Sequence, residues 1–123
     1  MKHILYHITW AENWNTIKKE GLIPRKEPPM AQYWTPHFKG TYFFVKKWQA
    51  DDNIQQMLEM DEYLKKSDIA IIRAEIPDIP EWNKRMRPDE DWSKNPSDWI
   101  NYRNEGTVVV LGIIPPRYLK RIQ

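Results

Sequence analysis

The stretch HILYHITWAENWNTIKKEGL, residues 3–22, holds a strand, a helix and a helix end in immediate succession. Residues 3–8 predict a strand, because Ile4, Tyr6 and Ile8 alternate with Leu5 and His7 on opposite faces. Thr9 with Glu12 has the spacing of a capping box, in which hydroxyl and carboxylate each satisfy a free amide, so a helix is expected to begin there. Its apolar positions Trp10, Trp14 and Ile17 share one side, and Gly21 supplies a left-handed end with Leu22 placed to touch Ile17.

Further along, residues 23–39 carry four prolines among basic and aromatic residues and read as a long irregular loop packed through Tyr33, Trp34 and Phe38. Residues 41–45 predict a short strand and residues 49–64 a helix with Ile54, Met57, Leu58 and Leu64 inward. A third strand is expected over residues 69–76, apolar on both faces at first and then bearing Arg73 and Glu75 on one. Residues 77–104 suggest a surface excursion with a short helix near Trp99. Residues 107–113 form the most apolar strand, expected to lie centrally in a sheet until Pro115 and Pro116 force an exit. That order of elements implies an α+β sheet domain rather than a doubly wound one.

The totals set bounds on the chemistry. A chain of 123 residues with 41% hydrophobic and 29% charged residues is expected to fold as a single domain spanning 1–123. No apolar run approaches the length of a membrane helix and the N-terminus turns polar early, so a cytoplasmic protein without a membrane partner is expected. With no cysteine, thiolate metal sites and thiol nucleophiles are excluded. His3 and His7 stand too far apart on a strand to grip one ion, so no metal is expected. A net charge of +2 supplies no global attraction to nucleic acid. Seven Trp, six Tyr and three Phe suit thick packing or stacking platforms. No glycine-rich phosphate loop or nucleophile elbow is present.

Four segments remain in a definite order: LYHIT at 5–9, GLIPR at 21–25, GTYFF at 40–44 and RNEGTVVVLGIIPPRYLKRI at 103–122. Together they resemble the ADP-ribosyltransferase superfamily, in particular its histidine-tyrosine-glutamate branch and the DNA-modifying toxins whose first segment reads the same way. The likeness spreads over most of the chain, with no counterpart for residues 77–102. It implies a split sheet with short helices and a long aromatic-rich loop region, NAD as substrate, and a macromolecular acceptor. It further implies that His7 hydrogen-bonds a ribose hydroxyl, that the backbone around Ile8 and Thr9 holds the nicotinamide amide, and that Tyr42 stacks on the nicotinamide ring. Ile8 departs from the glycine many relatives carry and narrows the room beside that ring. Glu105 matches the glutamate before the late strand, whose carboxylate favours the positive charge that grows on the sugar.

Each of these residues also has a plainer reading. A lone strand histidine is ordinarily packed or solvated, Tyr42 stands in an aromatic run that suits a core, and Glu105 before Gly106 suits an exposed strand entrance. Arg25 fits a diphosphate clamp and a solvated loop charge equally. Arg103, two before the glutamate, stands where arginine-modifying relatives carry Glu or Gln, which disfavours arginine as acceptor and is compatible with a phosphate-bearing nucleic acid. Two rivals share the fold, an NAD glycohydrolase and an RNA 2′-phosphotransferase-like enzyme that would draw on Arg25, Arg73 and Arg103. A third is a binding module without catalysis that uses Trp34, Trp48, Trp82, Trp92 and Trp99.

Overall fold

The computed structural model describes residues 1–24, 40–88 and 107–123. Strand β1 (Lys2–Trp10) leads through a 3-10 turn (Ala11–Asn13) into helix α1 (Trp14–Glu20). Strand β2 (Thr41–Phe44) and helix α2 (Lys47–Met60) follow, then β3 (Ile69–Pro77), α3 (Pro80–Asn83) and β4 (Met86–Pro88). Strand β5 (Thr107–Val110), a 3-10 turn (Pro116–Tyr118) and β6 (Leu119–Arg121) complete the described chain. All strand pairings are antiparallel, in the order β4-β5-β2-β1-β3-β6. The α+β class expected from the sequence is therefore present.

Alternation along β1 gives each face of this sheet its own core. Leu5 joins Phe43, Val45, Ala74, Ile76, Val108 and Val110 beneath α1, α3 and the Leu22–Ile114 segment, represented there by Ile17, Trp82, Leu22 and Ile114. Ile8 joins Ile69 and Ile71 beneath α2, which contributes Ala50, Ile54 and Met57. Full burial of side chains such as Ile54 and Met57 contributes roughly 1.5–3 kcal/mol each, which is what holds α2 to its face. Strand β3 is buried on both faces over Ile69 to Ile72, as a central strand flanked by layers on each side must be.

Several boundaries differ from the sequence-based expectation. The Thr9–Glu12 capping box does not form: Trp10 still pairs with Ile69 in extended conformation, so Thr9 is a strand residue and α1 starts only at Trp14. Trp10 packs on the α2 face, away from Trp14 and Ile17. Gly21 does take a positive φ of 86° and donates to the Ile17 carbonyl at 2.8 Å. The Leu22 amide, however, goes to the Ile114 carbonyl at 2.9 Å, so a bridge to the late segment replaces the second helix-end bond.

Helix α2 begins two residues early, where the Gln49 side chain accepts from the Lys46 amide at 3.0 Å, and it ends at Met60. Leu64 lies past its end yet packs in the same cluster. Strand β5 stops at Val110 because the Leu111 amide turns to the Arg85 carbonyl at 2.8 Å and Gly112 follows at a φ of 85°. The three-residue edge strands β4 and β6 are additional to the strands expected from the sequence, and the expected helix near Trp99 and most of the expected Pro-rich loop lie outside the described residues. No described helix is long and apolar enough to cross a membrane.

Candidate functional site around His7

The sheet is nearly divided between β1 and β2. Strands β1 and β3 are in register from Lys2↔Pro77 to Trp10↔Ile69, and β2 pairs with β5 along its whole length. Between β1 and β2 the ladder consists of the single pair Tyr6↔Phe44. From His7 onward β1 has no β2 partner in the ladder. His7 sits at the first position past that join.

At that position a side chain takes over the connection. The His7 Nδ1 lies 2.8 Å from the carbonyl oxygen of Tyr42. A carbonyl only accepts, so Nδ1 carries the hydrogen and, in the neutral ring, Nε2 presents its lone pair. No described residue hydrogen-bonds Nε2. Burial pushes the imidazole below its ordinary value of 6.5, and the bond to the Tyr42 carbonyl opposes that shift without cancelling it. The ring is therefore neutral near pH 7, with a fixed tautomer.

Neighbouring side chains define the surroundings of the imidazole. The Phe43 ring, itself buried, lies 5.6 Å from the imidazole centroid at an interplanar angle of 56°. Ile72 stands directly opposite His7 on β3 and is buried. Thr9 on β1 and Thr41 on β2 are the buried polar residues among those described, and Asn13 Nδ2 donates to the Thr9 hydroxyl at 3.3 Å. Alternation puts Thr9 on the His7 face of β1 and Thr41 on the Phe43 face of β2. Where the β1–β2 ladder ends, then, an imidazole, a phenyl ring and two threonine hydroxyls lie on one face of the sheet.

The expected site residues are distributed unevenly about this arrangement. Thr9 shares the face of His7, whereas the Ile8 side chain is buried in the α2 cluster. What β2 brings to the imidazole is the Tyr42 carbonyl and the Phe43 ring. The Tyr42 side chain, by alternation, goes to the α2 face with Phe44. Arg73 pairs across from Tyr6 on that same α2 face, with Arg73 Nη2 3.8 Å from Glu75 Oε1. Arg25, Arg103 and Glu105 lie outside the described residues, which resume at Thr107 in register with Phe44.

Sequence reasoning passed over Phe43, Thr41 and Asn13. The alternation within GTYFF would have separated Tyr42 from Phe43, but only the pairing between β1 and β2 tells which of them faces His7. Among the described residues no group of three His, Asp or Glu side chains comes together as a metal site would require. In comparison with known proteins, no family model, no curated protein and no solved structure matches the chain.

Proposed function

We propose that the chain is an NAD-dependent ADP-ribosyltransferase, which breaks the nicotinamide–ribose bond and passes ADP-ribose to an acceptor nucleophile, a nucleic-acid base being the class compatible with Arg103. The observation that carries this reading is the His7 imidazole, held by the Tyr42 carbonyl of the neighbouring strand where the β1–β2 ladder has ended, with Nε2 left as an acceptor. A ribose hydroxyl is a donor of the kind that this nitrogen takes. Its neutrality matters, because an imidazolium would offer a second donor and add a positive charge beside a sugar that is itself becoming cationic.

In the reaction the glycosidic electron pair leaves with nicotinamide and neutralises the charge on its ring nitrogen. The acceptor's lone pair forms the new bond to the sugar carbon, and the acceptor's proton passes to solvent. Glu105 is assigned the stabilisation of the sugar cation, on the resemblance of its segment alone. Arg25 keeps its assignment to the diphosphate. Tyr42 acts through its carbonyl as a positioning group for His7, and the aromatic surface beside the imidazole belongs to Phe43. The near-division of the sheet between β1 and β2 is in keeping with the split sheet that the resemblance implies.

Of the rival activities, the phosphotransferase reading loses a member of its arginine set, since Arg73 points to the other face. The glycohydrolase differs only in taking water as acceptor. Incubation with NAD labelled in the adenylate, with DNA, RNA and protein as acceptors, tests the proposal. Label transfer that disappears in His7→Ala is the expected result; nicotinamide release without transfer would establish the glycohydrolase, and neither would reject the enzyme reading.

A further inference from the structure

On the periphery of the α1-side core, two arginines cap an aromatic pair. The Arg85 guanidinium carbon lies 4.6 Å from the Trp82 ring centroid, and that of Arg117 lies 4.6 Å from the Tyr118 ring. Trp82 and Tyr118 meet edge-on at 5.5 Å, and Arg117 Nη2 donates to the Tyr118 hydroxyl at 3.1 Å. The row thus links α3 to the turn before β6. Neither guanidinium has a carboxylate within ion-pair distance among the described residues.

Arginines left without acids still have donors to satisfy. All the side-chain N–H groups of Arg85, and those of Arg117 beyond the Tyr118 bond, are without a protein acceptor among the described residues. Lys84 adjoins Arg85, and α1, whose last turn carries Lys18 and Lys19, lies against the turn bearing Arg117. The described acids on and beside the same elements are Asp78, Glu81 and Glu20, against Lys18, Lys19, Lys84, Arg85 and Arg117, so the described surroundings are net positive. Such a surface is complementary to a polyanion.

The stacking selects which polyanion. A guanidinium with one face on an aromatic ring has its second face available to a planar ring, while its edges suit phosphate bidentately. An acidic peptide uses only the edges. A single-stranded nucleic acid uses both, since its bases stack on guanidinium planes and its phosphates take the edge donors. We propose that the Arg85 and Arg117 guanidinium groups, backed by the buried Trp82 and the half-buried Tyr118, form a docking surface for single-stranded nucleic acid, separate from the His7 site and independent of whether that site turns over NAD.

Binding without NAD tests this directly, with fluorescence anisotropy of a labelled oligothymidylate or oligouridylate of about 15 nucleotides, against salt from roughly 50 to 200 mM. Arg117→Gln, an exposed turn position, is expected to weaken binding roughly tenfold at low salt and to reduce the salt slope by about 0.7. Arg85→Lys, which keeps the charge but loses the planar guanidinium over Trp82, is expected to weaken binding several-fold with the slope retained. Lys47→Gln on α2, whose amine is already paired with Asp51 at 2.8 Å, serves as the control and is expected to bind like the parent. Absence of oligonucleotide binding at low salt, unchanged binding in both arginine variants, or equal competition by poly-glutamate would overturn the proposal. Loss of NAD turnover with oligonucleotide binding intact would instead strike the transferase reading alone.

Discussion

Replacing His7 in two ways separates what its imidazole does for the fold from what it offers a substrate. Glutamine keeps a donor that reaches for the Tyr42 carbonyl but does not present the imidazole acceptor on the far side; phenylalanine keeps the bulk and loses both. The bond replaced is 2.8 Å long and stands where the β1–β2 ladder has ended, so its loss removes a connection between the two halves of the sheet. A net hydrogen bond is worth about 1 kcal/mol. His7→Phe is therefore expected to cost about 1 kcal/mol, against less than about 0.5 kcal/mol for His7→Gln. In urea, with a slope of about 1–3 kcal/mol per molar, the former moves the midpoint by about 0.5 M.

The same residue makes stability depend on pH. Because burial lowers the folded-state pKa of His7 below 6.5, the unfolded chain binds the proton more readily than the folded chain. The contribution of His7 is fully present above pH 6.5 and is lost as pH falls below that value and through the lower folded-state pKa. Urea midpoints measured from about pH 8 to about pH 5 should fall for the parent and fall less for His7→Gln. Identical pH profiles for parent and variant, or equal destabilisation by Gln and Phe, would refute the role given to the Nδ1 bond.

Gly21→Ala is expected to destabilise by more than about 2 kcal/mol, from its positive φ and from a Cβ that would sit 2.1 Å from the Ile114 carbonyl oxygen; a urea midpoint within error of the parent would show that the bridge to Ile114 yields. Phe43→Ala empties a site that is 1% exposed and should cost about 3–5 kcal/mol, while shifting the imidazole resonances of His7 in NMR; a loss under about 1 kcal/mol would mean that this ring is not a wall of the site. Glu105→Gln is expected to abolish nicotinamide release with little change in the urea midpoint, and normal turnover by that variant would remove Glu105 from the reaction.

Local pattern was sufficient wherever an element was long or its periodicity strong. Alternation in ILYHI by itself puts His7 and Tyr6 on opposite faces, and the apolar runs around Ile71 and Val109 mark interior strands, because a buried strand must be apolar on the faces it hides. The edge strands β4 and β6 escaped notice, since three residues such as Met86–Pro88 and Leu119–Arg121 are too few to show a period and are held by their neighbours rather than by their own propensity. Thr9 and Glu12 have capping-box chemistry, yet pairing of Trp10 with Ile69 kept that segment extended: a long-range ladder outweighed a local cap.

The candidate site divides in the same way. Composition alone excluded thiol chemistry and left His7 as one of three histidines. Which atoms meet it was decided by register, a relation between residues far apart in the chain that nothing in either segment records. Only the pairing of Tyr6 with Phe44, and the end of the ladder beyond it, could turn the Tyr42 carbonyl and the Phe43 ring toward the imidazole and send the Tyr42 side chain to the other face.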